Sequence, residues 1–152
     1  MKLFEVTEDK IDVLKFHDAL VNSHQGAVVT FTGHVREWTK GTRTVHLEYE
    51  AYVPMAEKML SQIGDEISEK WPGVKTAICH RIGKLDQTEV AVVVVTSSPH
   101  RQDGYHANMY AVDRLKEIVP IWKKEIWEDG EEWIGDSRHY HSSINEEDIN
   151  GN

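Results

Sequence analysis

At 152 residues with a formal net charge of −9, the chain is long enough to bury a core without staples and too acidic to bind nucleic acid through a general basic face. A hydrophobic content of 39% with five Trp and five Tyr excludes wholesale disorder, and a single cysteine excludes an intramolecular disulfide framework and fits a reducing cytoplasm. The start MKLFEVTEDK reaches acidic residues too soon for a signal peptide, and the longest apolar run, residues 90–95, is too short to cross a bilayer; the reading is cytoplasmic, with no membrane partner.

In chain order, residues 2–6 read as a short strand and 9–21 as a helix with Ile11, Leu14, Ala19 and Leu20 among its apolar positions. From Gly26 a strand follows in which Ala27, Val29, Phe31, Gly33 and Val35 alternate with Val28, Thr30, Thr32, His34 and Arg36. His34 and Arg36 are thus expected on one face, opposite Phe31. EWTKGTR is a polar loop with Gly41 for the turn. Val45, Leu47, Tyr49 and Ala51 then alternate with His46, Glu48 and Glu50, a second strand with one wet face.

Pro54 suits a helix start. Met55, Met59, Ile63 and Ile67, widened by Ala56, Leu60 and Trp71, predict its core stripe, and Pro72-Gly73 ends it. Residues 74–82 form a third long strand holding Cys79, which reads as core rather than nucleophile. Residues 90–98 form a fourth, whose valines predict burial on both faces in the middle of a sheet. A helix follows, and then IWKKEIW-EDG-EEWI, a hairpin with Asp129-Gly130 at the turn. Residues 1–135 read as one domain and 136–152 as a polar tail expected to be mobile. Hairpins interspersed with helices favour α+β over a doubly wound sheet.

The most informative stretch is SPHRQDGYHANMYAVDRLKEIVPIWKKE. Residues 99–124 hold five Lys/Arg against three Asp/Glu, a balance of +2 that leaves −11 for the remainder. A local basic site on an acidic body suits a small anionic ligand or an acidic peptide tail. On a wheel of about 100° per residue, Ala107, Ile118, Ala111, Leu115, Val119, Val112, Tyr105 and Met109 sweep one apolar arc, and Lys116 falls between Tyr105 and Met109. A lysine there either snorkels or points into a shielded pocket, and the Lys123-Lys124 pair just beyond Pro120 favours the pocket. His100 and Arg101 lie between a buried strand and a helix start, where free backbone N–H groups favour an anion. Arg36 at a strand end can clamp phosphate or carboxylate at two points. His139 and His141 in the tail, and His100 and His106 around the helix start, match no metal-ligand spacing, and no nucleophile elbow, phosphate loop or dinucleotide fingerprint is present. The reading assigns no metal and no cofactor.

GAVVTFTGHVR, LEYEAY followed by an MAEK helix, HRIGKL, VVVVTSSPHR, DRLK and PIWKKE occur in the order seen in the molybdopterin synthase large (catalytic) subunit family, which the chain resembles over about residues 26–134. The resemblance implies an α/β-hammerhead fold of the α+β class, with mixed, mostly antiparallel sheets and three main helices. It also implies a homodimer within a heterotetramer, each copy carrying a small ubiquitin-like sulfur-carrier subunit whose C-terminal glycine is a thiocarboxylate. The implied reaction inserts two dithiolene sulfurs into cyclic pyranopterin monophosphate to give molybdopterin.

Residue by residue, the family's basic strand end matches His34-Val35-Arg36, its HR pair His100-Arg101, its LK lysine Lys116, and its WK lysine Lys123, followed by Lys124 and Glu125. All nine are implied substrate-binding residues, with Lys116 and Lys123 catalytic. Arg36, His100 and Arg101 would hold the cyclic phosphate. Lys116, desolvated by the arc, would have a lowered pKa and transfer a proton; Lys123 would neutralise the thiocarboxylate or a tetrahedral intermediate. Two places depart from the family pattern: Gln87-Thr88-Glu89 stands where the turn usually has Gly before Glu, and Gly104-Tyr105 replaces a small-residue–Phe pair. An alternative for the same lysines is a non-catalytic module that captures an acidic or carboxylate-terminated peptide tail. Trp122, Trp127 and Trp133 are more aromatic surface than one small domain buries easily, which points the same way as the expected homodimer.

Overall fold

The structure, a computed structural model, describes residues 1–136. Its elements run β1 (Phe4–Thr7), α1 (Val13–Ala19), β2 (Ala27–His34), β3 (Trp38–Thr39), β4 (Thr42–Ala51), α2 (Val53–Lys70), β5 (Lys75–Arg81), β6 (Gly83–Asp86), β7 (Val90–Ser98), α3 (Arg101–Ile118), β8 (Ile121–Trp127) and β9 (Gly130–Asp136). Three helices and two sheets give the expected α+β class. Two strands escaped the sequence reading. The two-residue β3 pairs with β4 across a turn in which Lys40 and Gly41 both have positive φ. The four-residue β6 pairs with β4 and buries only Leu85, too short a run to show alternation.

One sheet has the order β1-β5-β7-β2, and the other runs β3-β4-β8-β9 with β6 also on β4. Only β1 and β5 pair in parallel; the remaining ladders are antiparallel. β7 sits between β5 and β2, and its Val93, Val94 and Val95 are buried against helices on both sides, as the valine run requires. Val94 joins the core under α2 and α3, while Val93 and Val95 join Phe16, Leu20, Ala77 and Cys79 beneath α1. Burial pushes the Cys79 thiol up to about 12.

α2 starts at Val53-Pro54 and buries Ala56, Leu60, Ile63, Gly64 and Ile67. The expected stripe is therefore rotated at its N-terminal end, and Met55 lies 40% exposed. α3 buries Gly104, Ala107, Asn108, Ala111 and Leu115. Its apolar arc is narrower than the wheel implied: Tyr105 and Met109 are 58% and 68% exposed. Gly104 permits the close approach to the sheet, since a Cβ there would lie 2.8 Å from Ser98 Oγ. Asn108 then donates to the carbonyls of Val29 and Val94 at 3.2 and 3.0 Å, tying α3 across β2 and β7. Glu66 of α2 accepts from Arg114 Nε at 2.8 Å and from the Tyr110 hydroxyl at 2.5 Å, which locks the two helices together. The β8–β9 corner is Glu128-Asp129, one residue earlier than expected, because Trp127 pairs with Gly130. Asp136, assigned above to the tail, closes β9; the rest of the tail, with His139 and His141, lies outside the described residues. Among the described residues no helix is long and apolar enough to cross a membrane.

Candidate active site

A cavity of about 370 Å³ opens where the two sheets meet the C-terminal end of α3. One wall is a cross-strand row of the first sheet, His80–Val92–Gly33, with Val94–Phe31 beside it. The facing wall is a row of the second sheet, Tyr49–Lys123–Ile134. Val112, Leu115 and Lys116, spaced three and four residues apart on α3, form the third. Tyr49 and His80 join the two sheets edge to face, with ring centroids 4.9 Å apart at 72°. Arg36 and His34 stand at the β2 end of the cavity.

Phe31 and Gly33 were expected on the face opposite His34 and Arg36, yet all four line the cavity. The register slips between Gly33 and His34, where Gly33 pairs with Val92 but His34 with Val90. Such a bulge bends the strand and re-aims the side chains beyond it. The β6–β7 turn secures the bent end. Val35 N–H donates to the Glu89 carbonyl at 3.0 Å, and Thr88 N–H donates to the Val35 carbonyl at 2.8 Å. The Thr88 carbonyl in turn accepts from His34 Nδ1 at 2.8 Å, which leaves Nε2 to accept from the Thr32 hydroxyl at 3.0 Å. Arg81, ion-paired with Glu89, braces the same turn. Thr88 makes these bonds with φ at +71°, the conformation glycine adopts freely.

Arg36, Lys116 and Lys123 converge. Lys123 feels both other cations, and its pKa is lowered, chiefly by desolvation. Its side chain retains 28% exposure and is among those that line the cavity. Glu125, two residues along β8 on the same face, approaches Lys123 Nζ at 3.7 Å and holds the Trp127 indole N–H at 3.2 Å. Among the described residues no carboxylate side chain lines the cavity, and the three cations make this lining suited to an anion.

The other expected residues lie elsewhere. Val35 is buried with Leu47, Leu85 and Ala91 and anchors the site from beneath. Lys124 points to the opposite face of β8, where it pairs with Glu131 at 3.0 Å and lies 5.5 Å from the centre of the exposed Trp133 ring. It cannot share a pocket with Lys123, because adjacent strand residues face opposite ways. His100 and Arg101 are exposed beyond the far end of β7. His34 pairs near Val90 and Ala27 pairs with Ser98, so the length of β7, about 26 Å at 3.3 Å per residue, separates the HR pair from Arg36 within one chain. The lysine with the lowered pKa is Lys123, at a position where the sequence placed only an anion-neutralising charge. Sequence reasoning missed Tyr49 and His80. The signal was available in KTAICHR, a strand buried on both faces with a histidine inside it.

A family model described as MoaE protein matches residues 6–118. The molybdopterin synthase catalytic subunit of Staphylococcus carnosus (strain TM300) is 64% identical over 141 residues, covering 93% of this chain and 94% of that protein. The crystal structure of molybdopterin synthase from Staphylococcus aureus superposes with a TM-score of 0.87 at 62% identity, covering 89% of this chain and 98% of that one. A chain in the complex of subunits 1 and 2 of the molybdopterin-converting factor from Helicobacter pylori 26695 shares the fold, with a TM-score of 0.71 at 15% identity over 85% of this chain and 88% of that one.

Proposed function

The chain belongs to the MoaE family, and from that premise we propose that its cationic cavity is the active site of a molybdopterin synthase catalytic subunit. This is a sulfurtransferase of molybdenum cofactor biosynthesis. Its substrate is cyclic pyranopterin monophosphate, and both dithiolene sulfurs arrive on the thiocarboxylated C-terminus of a small ubiquitin-like partner. The observation that carries the reading is the convergence of Arg36, Lys116 and Lys123 on a cavity of about 370 Å³ with no carboxylate among its described lining residues. That volume suits a pterin phosphate; a module that only captured an extended peptide tail would need a groove rather than a chamber between two sheets. The buried, free Cys79 supports action in a reducing cytoplasm.

In this reading Arg36 and Lys116 hold the phosphate and the charge that develops as its ring opens. The partner's sulfur attacks the pterin side chain near Lys123. The desolvated Lys123 reaches its neutral form most readily and is the proton carrier, with Glu125 steadying its ammonium. Lys124 acts outside the cavity, in the β8–β9 hairpin. His100 and Arg101 reach the phosphate only from a second copy, so the homodimer is a condition of the complete site, and exposed Phe31, Tyr105 and Met109 offer it apolar surface.

Complementation tests this. Arg36→Ala and Arg101→Ala homodimers should each lose at least tenfold in turnover, the scale of a charge-assisted contact. Mixed and allowed to exchange subunits, they should recover about a quarter of wild-type activity, because each mixed dimer rebuilds one intact site. No recovery, with exchange verified by mass, would mean that both arginines of a site come from the same copy, and an Arg101→Ala homodimer with full turnover would remove Arg101 from the chemistry.

A further inference from the structure

The cavity presents donors in abundance and few acceptors. Arg36, Lys116 and Lys123 can only donate while charged. Among the other described lining side chains, only His34, Tyr49 and His80 carry a lone pair. Both His34 nitrogens are engaged, with Thr88 and Thr32. His80 is different. Its Nδ1 lies 2.7 Å from the Arg81 carbonyl oxygen, and since a carbonyl can only accept, Nδ1 carries the proton. Nε2 is therefore the bare nitrogen. The residue is only 5% exposed and is one of those that line the cavity. Burial lowers its pKa to about 4, so the imidazole stays neutral beside the cations. Tyr49 packs edge-on and fixes the ring plane. Two strands along the same row, Gly33 adds no side chain to the floor; a Cβ there would lie 2.8 Å from Val92 Cγ1.

We propose that His80 is a substrate-binding residue: its Nε2 accepts a hydrogen bond from an N–H of the bound heterocycle, setting the orientation of the ring system while Arg36, Lys116 and Lys123 hold the anionic end. The inference rests on the functional reading above and adds to it a specificity element. The cationic side recognises any phosphate of suitable size, whereas a pre-set acceptor on the wall facing Lys123 distinguishes a donor-bearing ring from one that lacks an N–H there. A site built around a polar partner rejects analogues that leave it unpaired.

The test compares wild type with His80→Asn in the full-length chain with its thiocarboxylated partner. The asparagine amide can still donate to the Arg81 carbonyl, as Nδ1 does, but has nothing at the place of Nε2. The expected result is a rise of about tenfold in KM and Kd for cyclic pyranopterin monophosphate, kcat within about threefold of wild type, and unchanged binding of inorganic phosphate as a competing probe. Equal weakening of phosphate and pterin would mark His80 as structural and overturn the proposal, as would unchanged pterin affinity. A second measurement needs no variant: in nitrogen-15 NMR of wild type, the bare Nε2 resonance of His80 should move upfield on saturation with the pterin and stay in place with phosphate alone. A resonance indifferent to bound pterin refutes the assignment. Wild type that binds no pterin refutes the functional reading, and this inference with it.

Discussion

Replacing Thr88 with glycine should stabilise the protein and leave its turnover intact. Thr88 holds φ at +71°, where the Cβ of an L-residue meets the neighbouring carbonyl at a cost of roughly 1–2 kcal/mol, and β-branching makes the region still less hospitable. The side chain is exposed, so little packing is lost on its removal. Glycine relieves the strain but gives the unfolded chain more freedom, which returns about 0.5–1 kcal/mol. The net gain is about 0.5–1 kcal/mol, or roughly 1–4 °C in Tm for a chain of this size. The backbone bonds that hold Val35 and His34 survive the change, so kcat/KM should stay within about twofold. Thermal and urea unfolding followed by circular dichroism would measure the shift, with Thr88→Ala as the control that keeps the positive φ. A glycine variant no more stable than wild type, or an alanine variant that gains as much, would refute the strain argument.

Two further outcomes follow from the site and from the helix pair that carries it. If Lys123 carries the proton, Lys123→Arg, which keeps the charge but cannot lose a proton near neutral pH, should be nearly inactive, while Lys116→Arg retains much of the rate. Because Arg36 lowers the Lys123 pKa, Arg36→Gln should also move the acid limb of the kcat profile to higher pH; an unmoved limb would assign it to another group. Glu66, held at about 2 by Arg114 and Tyr110, has a pKa below its unfolded value, so its stabilisation is complete above about pH 4.5 and is lost as pH falls toward 2. Glu66→Gln should therefore cost on the order of 2 kcal/mol at pH 7, and in unfolding experiments its deficit against wild type should shrink steadily on acidification through that window.

What could be read from the sequence, and what could not, divides along the range of the forces involved. The 90–98 strand was legible because nine residues of local pattern suffice to show burial on both faces, and α2 because Pro54 and Pro72-Gly73 punctuate it. The two-residue β3 is too short to show alternation although its partner in β4 lies just across the Lys40-Gly41 turn, whereas β6 depends on a stretch of β4 remote in sequence. On α3 the wheel counts apolar side chains but not what faces them, which is why Tyr105 and Met109 joined the arc on paper and solvent in the fold. The motif match found Arg36, Lys116 and Lys123, which do converge. It could not show that Lys124 would turn away by strand parity, that Val35 would sink into the core, or that a whole strand would separate the HR pair from Arg36. His80 lies within the HRIGKL match, but only the packing of Tyr49 against it across the two sheets brings it to the cavity.

The burial of Cys79, the one cysteine among 152 residues, has a consequence for how this catalyst withstands its own reaction. Its thiol, pushed up to about 12, supplies almost no thiolate at neutral pH and has no route to solvent. The migrating sulfur therefore finds no resting place on this subunit, and neither a persulfide nor a mixed disulfide can trap it midway. Thiol-directed reagents that silence enzymes carrying sulfur on a reactive cysteine find no reactive thiol here. When such reagents stop turnover, the group they should reach first is the thiocarboxylate of the sulfur donor.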